Sequence, residues 1–325
     1  FLILIIINKN FKYINNRYAI LFFIWCVYLI LISLLSNNIS LSLESSLFHF
    51  RFGFFALAVW YCLEKNGNFQ KYFFISLTSA IIILIFDSFL QYFSGINLTG
   101  NTFKINSAER LTSFFGGEGV LGSYLSRMLP LFFALGLIYA SKFYMPFLIF
   151  ILFILTDVLV YITGERTAFF YVLLASFIFV FFIKRWKLLR AIALSCSFII
   201  IFLLSYLNSQ LTHRMIEQTI MQTQILSSED KKVFSNVHEE HYISAFKIFT
   251  DHPVKGIGPK LFREYCSKPE YVSKWACATH PHNSYMQLLS ETGLIGTFPI
   301  ILIFFLITYA FVKQFYYILF KKKYF

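Results

Sequence analysis

The chain has 325 residues, of which 58% are hydrophobic and only 14% charged, and its mean hydropathy is +0.67. Soluble domains hold near half apolar and a quarter charged residues, so these proportions exclude that class and point to a membrane protein. The formal charge of +12 would suit nucleic acid only on a concentrated basic face with interleaved aromatics, and the sequence has none, which excludes that partner.

The opening FLILIII is too short to cross a bilayer and lacks the layout of a signal peptide; it reads as the tail of a preceding helix, which would make the sequence a fragment. Crossing a hydrocarbon core of roughly 30 Å takes about 20 apolar residues. Windows of that kind follow at 18–35, 47–63, 72–93, 119–140, 143–161, 167–183, 188–206 and 284–312. The expected fold is all-α, a polytopic transmembrane helical bundle. Spans fill 1–206, a large and partly helical loop domain takes 207–283, and a last span with a basic tail takes 284–325.

Eight spans sort the connecting segments into two alternating sets. One holds fourteen Lys and Arg, Arg190 among them, against Glu64 alone; in the other, 36–46, 94–118, 162–166 and 207–283, the charges cancel. Cationic loops stay cytoplasmic, so the second set faces outward. In a bacterium this describes an inner-membrane protein with a periplasmic loop. Three motif-like segments far apart in sequence then share that outer side: ERLTSFF (109–115), TGERTAF (163–169) and THPHNSYMQLLSETGLIG (279–296).

Each carries residues suited to an anionic substrate. Arg110 follows Glu109, and Arg166 follows Glu165 in the first turn of a helix; a guanidinium there offers a planar fork for phosphate oxygens, or else snorkels and pairs with its neighbour. Arg127, about two turns inside its span, either lines a cavity floor or pairs with one of the intramembrane aspartates, Asp87 and Asp157. In the long loop, Tyr242, Ala245, Phe246 and Phe249 mark an amphipathic helix, 211–226 suits a second helix on the membrane surface, and DHPVKGIGPKLF supplies a tight turn at Gly256, Gly258 and Pro259. HEEH (238–241) is not the metalloprotease spacing HExxH.

Pro281 keeps His280 extended and Asn283 is a good N-cap, so a helix is expected from Ser284. Its N-terminus favours an anion, and an adjacent His282 near its working pKa suits a general base; interfacial histidines beside a plain cap are the alternative. Cys26, Cys62 and Cys196 sit in apolar spans. Cys266 and Cys277 lie in the loop, where a disulfide is the preferred reading and a zinc site with His280 and His282 the other, although the spacing fits no common zinc module.

At HPHNSYMQLLSETGLIG, DHPVKGIGPKLF, TGERTAF and RLTSFFGGEGVLGSYL, which together span about 110–296 in the order along the chain expected of the family, the sequence resembles the O-antigen ligase family of bacterial envelope proteins, which includes related polysaccharide polymerases. The resemblance implies a glycosyltransferase that moves a glycan from undecaprenyl diphosphate to an acceptor hydroxyl at the periplasmic face, with no cofactor and no metal; the sequence also lacks a D-x-D cluster. It casts His282 as the base and Arg166 as the contact to the donor diphosphate. His280, Asn283, Arg110, Arg127 and Arg214 complete the candidate site. Members often carry an arginine before the amphipathic loop helix. Here that stretch reads HEEH with His241, leaving Arg214, Arg263 and Lys255 as substitutes. The implied partners are the lipid-linked donor, a glycan or lipid A core acceptor and membrane lipids. A lipid-glycan flippase is the rival from another class, but it would need polar lining through the whole membrane, and the polar residues concentrate on one side.

Overall fold

The computed structural model of the protein describes residues 2–7, 11–105, 109–140, 144–223, 236–272 and 277–320. Ten helices organise these residues: α1 (Arg17–Leu34), α2 (Ile39–Ser46), α3 (Phe50–Lys65), α4 (Phe69–Ser94), α5 (Leu121–Tyr139), α6 (Met145–Ile162), α7 (Arg166–Phe182), α8 (Lys187–Leu207), α9 (Asn236–Asp251) and α10 (Ser284–Phe320). Short helical pieces at Leu2–Ile7, Ser209–Thr223 and Phe262–Tyr265 add to them. Among the described residues no strand forms; Ile96 and Thr102 make one isolated bridge. Long apolar runs take this form because lipid offers the backbone no hydrogen-bond partner, and a helix satisfies its own.

Seven described segments are long and apolar enough to cross a membrane: α1, the α2–α3 stretch 39–65, α4, α5, α6, α8 and most of α10. This corrects the expected eight. The window at 167–183 forms α7, an apolar helix of 17 residues that falls short of that length.

The chain forms two compact units, one of residues 66–232 and one combining 1–65 with 233–325. In the first, α4 to α8 share one hydrophobic core. Phe74, Leu77, Ile81, Leu84 and Ile85 bury one stripe of α4, while α6 is buried around most of its second half. Arg190 is no loop cation: it lies inside α8, 2% exposed, with two nitrogens donating to Asp157 at 2.7 and 2.9 Å. Ser197 also donates to Asp157, and the guanidinium stacks 4.5 Å from the Phe153 ring. Asp157 is therefore unavailable to Arg127, which is exposed on α5. Asp87, fully buried, accepts from the Leu98 amide, from Asn97 and from the Ser113 hydroxyl. Neither aspartate partners Arg127 as the pairing alternative required.

In the second unit α9 packs on α10 through Ala245 and Ile248, with His241 and Ser244 on the same buried face. The expected apolar face was offset by about one residue: Phe246 is 52% exposed. The groups beneath are bulky (Ile257, Leu261, Phe262, Tyr265), so the small side chains of α9 turn inward. Helix α10 breaks at Gly293, whose φ of 63° and ψ of −167° are non-helical. The carbonyls of Ser290 and Glu291 accept from the amides of Ile257 and Gly258, and the amides of Leu294 and Ile295 donate to the carbonyls of Pro253 and Val254. Tyr28 and Trp25 of α1 donate to the carbonyls of Thr292 and Gly296 at 2.8 Å. Every backbone group loosened by the break that is named here meets a partner, as burial demands.

Candidate active site

In the unit of residues 66–232, the turn between α6 and α7 brings three cations together. Gly164, at φ 70°, ends α6 in the left-handed conformation that glycine adopts without strain. Its missing Cβ also makes room: a methyl there would lie 2.8 Å from Cδ of Arg214, which rests on the turn. Arg166 opens α7. Arg110 comes from the α4–α5 connection, where its Nη1 donates to the Gly119 carbonyl at 3.4 Å. That connection is anchored from below: Gln91 accepts from the amides of Thr112 and Ser113, at 3.3 and 2.8 Å, beside the Asp87 bonds.

The carboxylate that precedes Arg166 in the chain makes its hydrogen bonds to α5. Glu165, 8% exposed, accepts from the amides of Gly122 and Ser123 at 2.7 and 2.9 Å and from the Ser123 hydroxyl at 2.6 Å. It thereby caps the N-terminus of α5, whose first amides have no partner within the helix. Burial first, and then the charges of Arg110 and Arg166, push the Arg214 guanidinium below its usual pKa, against the opposing pull of Glu165. Arg110 and Arg166 both act on Arg214, so the three guanidiniums stand within electrostatic reach of one another.

In the other unit, Asn283 caps α10 as expected: its Oδ1 accepts from the amides of Tyr285 and Met286 at 2.9 and 3.2 Å. His282, exposed, sits just before the cap at φ 55°, a left-handed conformation uncommon for a side-chain-bearing residue and frequent at functional sites. Imidazoles surround it: ring centroids lie 4.3 Å away for His280, 5.3 Å for His238 and 5.4 Å for His241. Burial, followed by the charges of His282 and Arg263, lowers the pKa of His280.

Two devices hold this segment. A disulfide joins Cys266 to Cys277, with the Cα atoms 4.8 Å apart, so the zinc alternative loses both sulfurs. Behind it, buried Glu291 accepts from the Phe262 amide at 3.2 Å and from Gln287 at 3.1 Å, tying the glycine turn to α10. Sequence reasoning missed Glu165 and Glu291 as organisers; each acidic side chain sits near a helix end, which was the available signal.

The structure thus gathers Arg110, Arg166 and Arg214 in one unit and His280, His282 and Asn283 in the other. Arg127 joins neither group, and Lys255 and Arg263 belong to the histidine-bearing unit.

Residues 148–301 match the family model described as O-antigen ligase. This segment belongs to the O-antigen ligase family. It includes the Thr163–Arg166 turn, Arg214, the glycine turn and the histidine segment, while Arg110 and Arg127 lie before it. No curated protein and no solved structure matches the chain. At family level, O-antigen ligases are membrane enzymes of glycosyltransferase type that work on lipid-linked glycans.

Proposed function

We propose that the protein transfers a glycan from polyprenyl (undecaprenyl) diphosphate to an acceptor hydroxyl at the extracytoplasmic face of the bacterial inner membrane, as an O-antigen ligase. The observation that carries this reading is the gathering of Arg110, Arg166 and Arg214 about one turn. The acceptor oxygen attacks the anomeric carbon as the bond from that carbon to the phosphate oxygen breaks. A ring nitrogen of His282 takes the acceptor's proton, and the electron pair leaves with the lipid diphosphate. Arginines and oriented dipoles stabilise the charge that builds on the leaving group.

The test is purified protein in liposomes with a polyprenyl-diphosphate glycan and an acceptor glycan or lipid A core. Release of lipid diphosphate with transfer of the glycan is expected. His282→Ala lowers the rate by about 10²–10⁴-fold if it removes a general base. Arg166→Lys loses activity because a point charge does not replace a planar fork. Normal transfer by either variant, at matched protein level, would remove that residue from the mechanism. A flippase would move the intact donor and release no diphosphate.

A further inference from the structure

Helix α9 carries ring side chains along one flank. His238, Tyr242, Phe246 and Phe249 recur every three or four residues, the spacing that aligns side chains on a helix. Ala245 and Ile248 turn the adjoining side inward, and by the same spacing Glu240, Lys247 and Asp251 fall on the far flank. Phe246 is exposed and the other three rings are half-buried. Ring centroids lie 6.4 Å apart for His238 and Tyr242 and 6.0 Å apart for Phe246 and Phe249. At its N-terminal end the stripe meets the histidine segment, with His238 5.3 Å from His282. From His238 to Phe249 it runs about 16 Å, at about 1.5 Å of rise per residue.

We propose that this stripe is the platform on which the acceptor glycan lies, its sugar rings stacked on Tyr242, Phe246 and Phe249 while its attacking hydroxyl reaches His282. The inference rests on the reading of His282 as the base of a glycan transfer. Position selects the occupant: a glycan that delivers a hydroxyl to His282 has its remaining sugars beside that residue, and the line of rings begins there. The chemistry fits as well. A pyranose presents a face of C–H groups, which the negative face of an aromatic ring attracts. Its hydroxyls stand at the rim and keep their hydrogen bonds to water, as an exposed platform allows and a closed apolar pocket would not. A helix resting on lipid needs only apolar bulk, aliphatic or aromatic. The flank that meets His282 is built of rings.

The experiment is steady-state transfer by the purified protein in detergent, with a lipid A core saccharide and the terminal disaccharide of that core as separate acceptors. Wild type is expected to show the lower KM for the longer acceptor. Phe246→Leu and Tyr242→Leu keep apolar bulk and remove a ring; each should raise the KM of the longer acceptor about three- to tenfold, with the loss in KM and not in kcat. Phe246→Tyr keeps a ring and should hold the wild-type KM. The proposal falls if both leucine variants keep the wild-type KM, if both lose the disaccharide equally, or if the loss appears in kcat. It falls also if Phe246→Ser loses transfer that Phe246→Leu retains, since this face would then rest on lipid. Wild-type transfer with unmoved KM values in the leucine variants removes the platform alone; no transfer by the wild type to either acceptor removes the ligase reading instead.

Discussion

The Glu165 carboxylate lies 2.7 Å from the amide of Gly122, across 43 residues of sequence, although Arg166 is its neighbour in the chain. That bond closes one of the first amides of α5, which have no partner within the helix. Glu165→Ala should cost about 1–2 kcal/mol, the range for a lost N-terminal cap, read as a lower thermal midpoint in detergent. Glu165→Gln keeps an accepting oxygen and should lose less. An alanine variant as stable as wild type would show that the cap carries no weight.

The pH dependence has a defined sign. The folded-state pKa of His280 is depressed by burial and by nearby His282 and Arg263, so the unfolded chain takes up the proton more readily. Stability is unaffected by this group above the ordinary value of 6.5 and falls as pH drops from there through the lower folded value. Thermal unfolding between about pH 7.5 and 5 should show the decline, and His280→Gln should flatten it. A decline of equal slope in the variant would assign it to other groups.

Much of this architecture could be read from residue types, because spans, cap and cysteine pairing are local or compositional signals. Asn283 before Ser284 has the form of a cap, and lipid leaves apolar runs such as 72–93 no alternative to a helix. Long-range pairing was not legible. Glu165 beside Arg166 looks like an ion pair until α5 supplies amides, and Asp157 meets Arg190 only through the packing of α6 on α8. The α9 face was misplaced because Ser244 and Ala245 are small enough to be buried against bulky partners while Phe246 remains outside. In the candidate site, the separate arginines were visible, but their gathering depended on Gly164 having no side chain.

The break in α10 depends on two glycines. A Cβ on Gly256 would stand 2.4 Å from the Glu291 carbonyl carbon, and one on Gly293 would stand 2.3 Å from the Val254 oxygen. Both have positive φ, 68° and 63°. Overpacking of about 1–3 kcal/mol adds to about 1–2 kcal/mol for the left-handed backbone. Gly256→Ala and Gly293→Ala should each lower the thermal midpoint clearly, more than the exposed substitution Gly67→Ala, where nothing lies within 4 Å. Equal midpoints for the three would refute the docking account.

Reduction should loosen the histidine segment. The Cys266–Cys277 bridge closes a short loop directly before His280, and a loop of this size contributes roughly 2–3 kcal/mol by chain entropy. Cys266→Ser and Cys277→Ser should show faster amide exchange around 277–283 and slower glycan transfer, with matching effects of the two single variants. Retained protection after either substitution would mean that the cap and Glu291 hold the segment unaided.

The buried pair in the other unit calls for a double-mutant cycle. Asp157 and Arg190 are 1% and 2% exposed and bonded through two nitrogens, with Ser197 and Ser176 filling further sites. Removing one partner strands a charge among apolar side chains; removing both exchanges the pair for hydrocarbon of similar bulk. Asp157→Leu and Arg190→Leu should each cost about 3–5 kcal/mol, and the double variant much less than either alone. Thermal unfolding in one detergent measures the cycle. Additive single losses would mean that each residue acts through its own packing, and the pairing would then have no energetic weight.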